Sequence, residues 1–415
     1  MASKVVTSFG VYHPHRFLST LCSGTIVLVA FVFLLHPFPA DPDVVVTAFD
    51  MGDKFRRGQM LGKTFAVVSS LFVVVAAGFN WWLLYRCCRE LVCALRTSGL
   101  AAITAHGRES SLHAVPLALA LNVLVNSVVC RTILPLSEGV IQILIGLSLL
   151  ALGICATTTA CLLIRSFCRF LRTRRYSSLS SNNNLHLAAY ALSLQGIGFL
   201  ACGRPSAVGA VSAASLPIAY ALASVAGIVS AVAVVWSILS ISRRGVTLYN
   251  SGIFWIIVPV LTTQSIVLTA RKHPGGVLSA APAPTFSTDS FLLYSWLFGV
   301  LIVQTVLFVL CLILATTHPV HRGQLDGTSE SNPMAFLISL PGVNFALLIA
   351  YDLQVSLIPL RNPAFGTPGY FTLGLVALFA VAASVTATAV LLFNSRSGGL
   401  NRRLPGDLPA GKGGG

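Results

Sequence analysis

Apolar residues run along this chain in blocks of about 20, the length a helix needs to cross a bilayer. The blocks are continuously apolar. Barrel strands would instead alternate over about 10 residues, so the pattern predicts transmembrane helices. Ten can be drawn, at 17–36, 64–85, 113–132, 140–164, 186–203, 214–240, 250–270, 291–315, 333–351 and 369–393. The fifth, LHLAAYALSLQGIGFLAC, is short and carries glycines.

The blocks alternate in character. Spans two, four, six, eight and ten are long and uniformly apolar, as in LGLVALFAVAASVTATAVLLF. The odd spans are shorter, and each carries breaks or polar groups partway along: FLSTLCSGTIVLV, VPLALALNVLVNSVV, LSLQGIG, IFWIIVPVLTTQ and FLISLPGVNF. A proline inside a helix removes a hydrogen bond and costs about 3 kcal/mol. In a bilayer, an unsatisfied backbone group is tolerated only against protein or a water-filled cavity. Pro259 and Pro341 are therefore expected to face an interior path. With them go the polar residues at matching depth: Ser23, Thr25, Asn122, Asn126, Ser193, Gln195, Thr262, Thr263, Gln264, Ser339 and Asn344. The rival explanation is that such residues bind helices to one another.

Composition sharpens this picture. Hydrophobic residues make up 55% of the 415, and only 9% are charged, against about 25% in soluble domains. The polar inserts, the longest at 37–63, 86–112, 165–185 and 271–290, are too short for a soluble core. The chain divides into an N-terminus (1–16), a membrane domain (17–393) and a basic tail (394–415) expected to be disordered. The net charge of +15 reads as orientation and not as nucleic-acid binding, because Lys and Arg accumulate on the cytoplasmic side. With ten spans, 18 of the 27 basic residues share a side with both termini, and 9, Arg131 among them, fall opposite. Both termini are thus expected in the cytoplasm, in the plasma membrane by default. The first span is too long for the apolar core of a signal peptide.

No Asp, Glu, Lys or Arg sits near the middle of a span. Proton pumps usually keep such a relay. Its absence favours a channel or uniporter, and neutral dipoles with basic residues at the mouths (Arg243 and Arg244 within, Arg271 and Lys272 outside) favour anions. No His/Asp/Glu cluster marks an enzyme, and no cofactor or metal is expected. The ten cysteines lack metal spacing; Cys87, Cys88 and Cys93 are candidates for palmitoylation. His13, His15, His318 and His321 flank prolines at span ends and read as interfacial loop residues.

Taken together, HRFLSTLCSGTIVLVAFVFLLHPFP, LHAVPLALALNVLVN, IFWIIVPVLTTQSIV and NPMAFLISLPGVN resemble the first, third, seventh and ninth helices of the tellurite-resistance/dicarboxylate transporter family. That family includes fungal malate permeases, sulfite efflux pumps and plant slow anion channels. The resemblance implies an all-α integral membrane fold of ten helices in five hairpins. Its odd helices would be kinked and form an inner ring around a pore, and the protein would be a trimer. It also implies a constriction just before the ninth-helix proline. Where the family has phenylalanine there, this chain has Leu340, with Phe345 one turn on as a substitute; the family's tryptophan pair is absent.

The expected function is passage of a small anion (an organic dicarboxylate, sulfite or an inorganic anion) across the bilayer. The alternative from another class is a multi-pass structural or accessory protein, such as a viral envelope or trafficking factor, that transports nothing. A coupled secondary transporter of another fold is a further rival.

Overall fold

The computed structural model describes residues 14–36, 60–104, 112–173, 183–203, 205–246, 252–269, 288–326, 333–354 and 367–400, with Gly52 and Arg56. Among these the structure is helical, with no strand. The main helices are α1 (Ser19–Leu35), α2 (Met60–Thr104), α3 (Ala114–Ile133), α4 (Glu138–Thr173) and α5 (Asn183–Gly203). They continue with α6 (Gly209–Arg244), α7 (Gly252–Thr269), α8 (Thr288–Thr317), α9 (Leu340–Asp352) and α10 (Pro368–Leu400). Tight 3-10 turns lead into α1 (Pro14–Leu18) and α9 (Pro333–Ser339), and a short helix, Pro319–Leu325, follows α8.

Among the described residues nine helices are long and apolar enough to cross a membrane by length and composition, which marks a multi-pass membrane protein. The seventh expected span is a shorter apolar helix, Ile253–Thr269. The even-numbered helices exceed their predicted spans. Helix α2 runs for 45 residues, about 67 Å at 1.5 Å per residue, against a hydrocarbon core of about 30 Å. Much of the expected insert 86–112 is therefore helix, as is 165–173. Gly99 ends the regular part of α2, with a φ of 70° that side chains bearing a Cβ rarely adopt. Helix α10 likewise carries the first residues of the expected tail, to Leu400.

Burial separates the two kinds of helix. In their most apolar stretches α1, α3, α5 and α9 have 94%, 72%, 89% and 94% of residues buried; α2, α4, α6, α8 and α10 have 22%, 17%, 22%, 22% and 33%. The even helices turn large apolar side chains outward, among them Leu71, Ile143, Ile228, Phe298 and Leu375. A contiguous apolar exterior of this kind is stable only against lipid.

Contacts follow the same division. Helix α1 packs on α3, α3 on α5, α5 on α7, α7 on α9, and α9 back on α1, so the odd helices close a cycle. Each even helix rests on the odd helix before it and on the next one around that cycle. The odd helices also point the same way. Their starts meet where the turns before α1 and α9 touch. Their ends meet through Arg131 and Ala201 (α3, α5), Thr269 and Tyr351 (α7, α9), and His36 and Ala350 (α1, α9).

Close approach explains one conspicuous glycine. A Cβ on Gly342 would lie 2.5 Å from the Ala380 carbonyl oxygen of α10 and closer still to Ser384 Oγ. Gly342 therefore admits α10 against α9. Pro341 sits in the first turn of α9, where a missing N–H would have had no helical partner in any case. The irregularity before it is the 3-10 turn, not a proline break inside an α-helix.

Candidate functional site

The interior of the cycle holds a cavity lined by Thr25, Leu28 and Val32 of α1, Leu121 and Leu124 of α3, and Tyr190, Leu194 and Ile197 of α5. Thr263 and Ile266 of α7 and Asn344, Leu347 and Tyr351 of α9 complete it. All five odd helices contribute, and no even helix does. The positions recur at helical spacing, as in Tyr190–Leu194–Ile197 and Asn344–Leu347–Tyr351, so each helix offers one stripe. The space open to the centre of a water molecule is about 30 Å³, enough for about two waters at about 10–15 Å³ each.

The lining is mostly aliphatic, with hydroxyls and one amide among it. Tyr190 donates to Asn344 Oδ1 at 3.5 Å, and Asn344 Nδ2 donates to the Leu340 carbonyl at 3.0 Å. Tyr351 shares a hydrogen bond of 2.9 Å with Thr269. Thr25 and Thr263 return their hydroxyl protons to carbonyls of their own helices, Leu21 and Pro259. Such back-bonding lets a hydroxyl sit in an apolar helix without an orphan donor.

Of the residues expected to line a path, Thr25, Thr263 and Asn344 reach the cavity. Most of the others hold helices together. Ser23 donates to Asn80 Oδ1 of α2 at 2.8 Å, and Asn80 donates to Asn122 Oδ1 of α3 at 2.6 Å. Gln195 donates to Thr159 of α4 at 2.9 Å. Ser193 accepts from Gln264, which also donates to the Ala223 carbonyl of α6. Asn126 is on the exposed side of α3, where it accepts from the indole of Trp81. Ser339 is buried and bonds the Phe336 carbonyl in the turn before α9.

Around Pro259 the three polar residues diverge. Thr262 donates within α7 to the Val258 carbonyl at 3.0 Å and meets Gln304 of α8 and the Asn344 carbonyl of α9, both at 3.2 Å. Thr263 faces the cavity, and Gln264 faces α5 and α6. Successive helical residues lie about 100° apart, so three in a row cannot share one face. Pro259 is buried inside α7, and the polar groups a turn later are shared among three different neighbours.

The two residues expected at the constriction lie apart. Phe345 stacks on Phe308 of α8, with ring centroids 5.2 Å apart, and so turns away from the cavity. Leu340 is fully buried but is not part of the lining. It lies on the cavity stripe of α9, one turn before Asn344, and its register places it at the end of the cavity where the odd helices begin. The cysteines also separate: Cys87 is buried and bonds the Arg16 carbonyl, whereas Cys93 is exposed. Cys88 is intermediate, so of the three Cys93 presents its thiol most openly. Arg131 is a buried residue of α3 and not a loop charge. Arg271 and Lys272 lie outside the described residues.

Sequence reading passes over the polar residues of the even helices. Asn80, Thr159, Ser237 and Gln304 are each at most 1% exposed and bond an odd helix. A single polar residue inside a long apolar run is the signal that could have found them. Past α8, His321 in the short helix is buried, edge-on to Trp255 with centroids 5.0 Å apart, and neither ring nitrogen has a partner. Burial, reinforced by nearby His318, pushes its pKa down to about 4. Among the described residues no group of three or more His, Cys, Asp or Glu could hold a metal ion.

No protein-family model, no curated protein and no solved structure matches the chain.

Proposed function

We propose that the chain forms a passage for small anions along the centre of five helix hairpins, with both termini in the cytoplasm. The observation that carries this reading is the cavity, whose lining is drawn from all five odd helices and from no even one. A space confined to helix interfaces would engage two or three helices; this one lies where all five odd helices meet. The layout expected of the tellurite-resistance/dicarboxylate transporter family, with odd helices inside and even helices outside, agrees with the burial of the two sets.

What supports an anion over a cation is the absence of a carboxylate from the lining. The hydroxyls of Thr25, Thr263 and Tyr190 already donate to protein acceptors and would have to turn from them to meet an ion. Aliphatic rings above and below such donors can hold a narrow path closed by dewetting. In this reading Leu340, one turn before Asn344 on the same stripe, adds to the closure at the cytoplasmic end.

A second reading, a multi-pass accessory or structural protein, is favoured by one specific observation. Most of the polar residues singled out in the odd helices are spent on interhelical hydrogen bonds, as Ser23 and Asn122 are on Asn80 of α2. Purified protein in liposomes separates the two readings. Efflux of chloride, nitrate, malate or sulfite above that of empty vesicles supports the passage. Absence of flux for all four, from monodisperse protein, supports the accessory role.

A further inference from the structure

Arg131, near the end of α3, is 5% exposed. Among the described residues its one protein hydrogen bond is a long one, from Nη1 to the Ala201 carbonyl at 3.4 Å, and its buried Nε has no partner there. Among the described residues no carboxylate lies within 4.0 Å of the guanidinium. Thr132 beside it is 3% exposed, and its hydroxyl is also without a partner. A buried charge without a counter-charge is strongly destabilising, and a guanidinium cannot relieve this by losing its proton. At a membrane surface an arginine usually extends its head into water. This one is folded in against α5.

Its position along the helix is informative. Arg131 follows the cavity-lining Leu124 by seven residues, which is two turns on nearly the same face and a rise of about 10 Å. Its acceptor, Ala201, follows the cavity-lining Ile197 by four residues. The guanidinium thus sits between α3 and α5 at the end of the bundle where the odd helices finish, beyond the cavity.

We infer that Arg131 binds an oxyanion between the ends of α3 and α5. A guanidinium presents five N–H donors in a fork that suits phosphate, sulfate or carboxylate oxygens, and the unpartnered Nε is one of them. The ligand is either a free anion or the phosphate of a phospholipid headgroup, which offer the same oxygens. Only the choice of source rests on the proposed passage; the binding does not.

The test uses purified full-length protein in a phospholipid-free detergent. Thermal melting is followed against sodium sulfate, with sodium chloride at matched ionic strength as control, and separately against a short-chain phosphatidylglycerol. The wild-type protein should melt higher with at least one of the two. R131Q should weaken that response by about tenfold to a hundredfold, the loss of a hydrogen bond made by a charged group. R131K, which keeps the charge but loses the fork, should fall between them. A response to sulfate alone assigns a free anion, and one to the phospholipid alone assigns a headgroup. Equal responses in wild type and R131Q, or none in either, overturn the inference. If R131Q does not fold, the comparison between wild type and R131K decides in the same way. Anion flux is not the readout, so a protein that transports nothing can still pass this test.

Discussion

Asn80 of α2 donates to Asn122 of α3 across 2.6 Å while accepting from Ser23 of α1, so one fully buried amide joins three helices. Within a bilayer such bonds hold helices together where apolar burial cannot, because lipid is as apolar as leucine. Replacing Asn80 with Leu leaves the Ser23 hydroxyl without its interhelical acceptor and Asn122 Oδ1 without its donor. A loss of about 1–3 kcal/mol is expected. The double change Asn80→Leu with Asn122→Leu should cost less than the sum of the single changes, since the partners share a network. Melting curves of the three variants in detergent check this.

The neighbours Thr262 and Thr263 should behave differently when their hydroxyls are removed without loss of volume. Thr262→Val removes a partner from Gln304, which is itself fully buried, and should destabilise by about 1–3 kcal/mol. Thr263→Val removes a hydroxyl from the cavity wall that bonds only its own helix turn. Its stability should move by less than about 1 kcal/mol, while anion flux in liposomes falls. The reverse assignment of the two phenotypes would contradict the placement of the cavity.

Gly342→Ala should force α9 and α10 apart. The Ala380 carbonyl oxygen, 2.5 Å from the added Cβ, belongs to a helix backbone and cannot swing aside. Overpacking of this kind costs roughly 1–3 kcal/mol. Adding Ser384→Ala removes the hydroxyl obstacle but not the carbonyl, so melting temperature should recover only in part. Full recovery would place the conflict at Ser384 alone.

The buried His321 sets a pH dependence outside the spans. Its pKa in the fold is about 4, below its ordinary value of 6.5, so the unfolded chain takes up the proton first as pH falls. The neutral ring's stability is therefore complete above pH 6.5 and is lost progressively toward pH 4. His321→Phe should flatten the melting temperature across that window. An unchanged slope would show that other groups titrate there.

Much of this architecture is legible in the chain, for a physical reason. A helix that faces lipid on one side must be apolar at nearly every exposed position, whereas one surrounded by protein can carry hydroxyls, amides and prolines. Hence the interrupted runs around Thr25, Gln195, Pro259 and Asn344 are the buried helices. Direction around a helix is harder to read. Depth alone groups Thr262, Thr263 and Gln264, although a period of 3.6 residues already sends them to three faces. Phe345 shows the same error, because the stripe that carries Asn344, Leu347 and Tyr351 excludes it. Asn80 and Gln304 are hidden because one amide in a long apolar run changes its average very little. Gly342 gives no sign of its role, which depends on a helix about 40 residues later in the chain.

The passage itself is tested most directly at Leu340, on the cavity stripe one turn before Asn344. Anion flux through liposomes and thermal stability should be measured together for the wild-type protein and Leu340→Ala. If Leu340 helps to close the path, the shortened side chain raises basal flux while the protein stays well folded. If α9 merely packs against its neighbours, the change leaves a void, destabilises the fold by roughly 2–5 kcal/mol, and produces no flux. A leaky, stable variant is the result the account predicts; an unstable, silent one contradicts it.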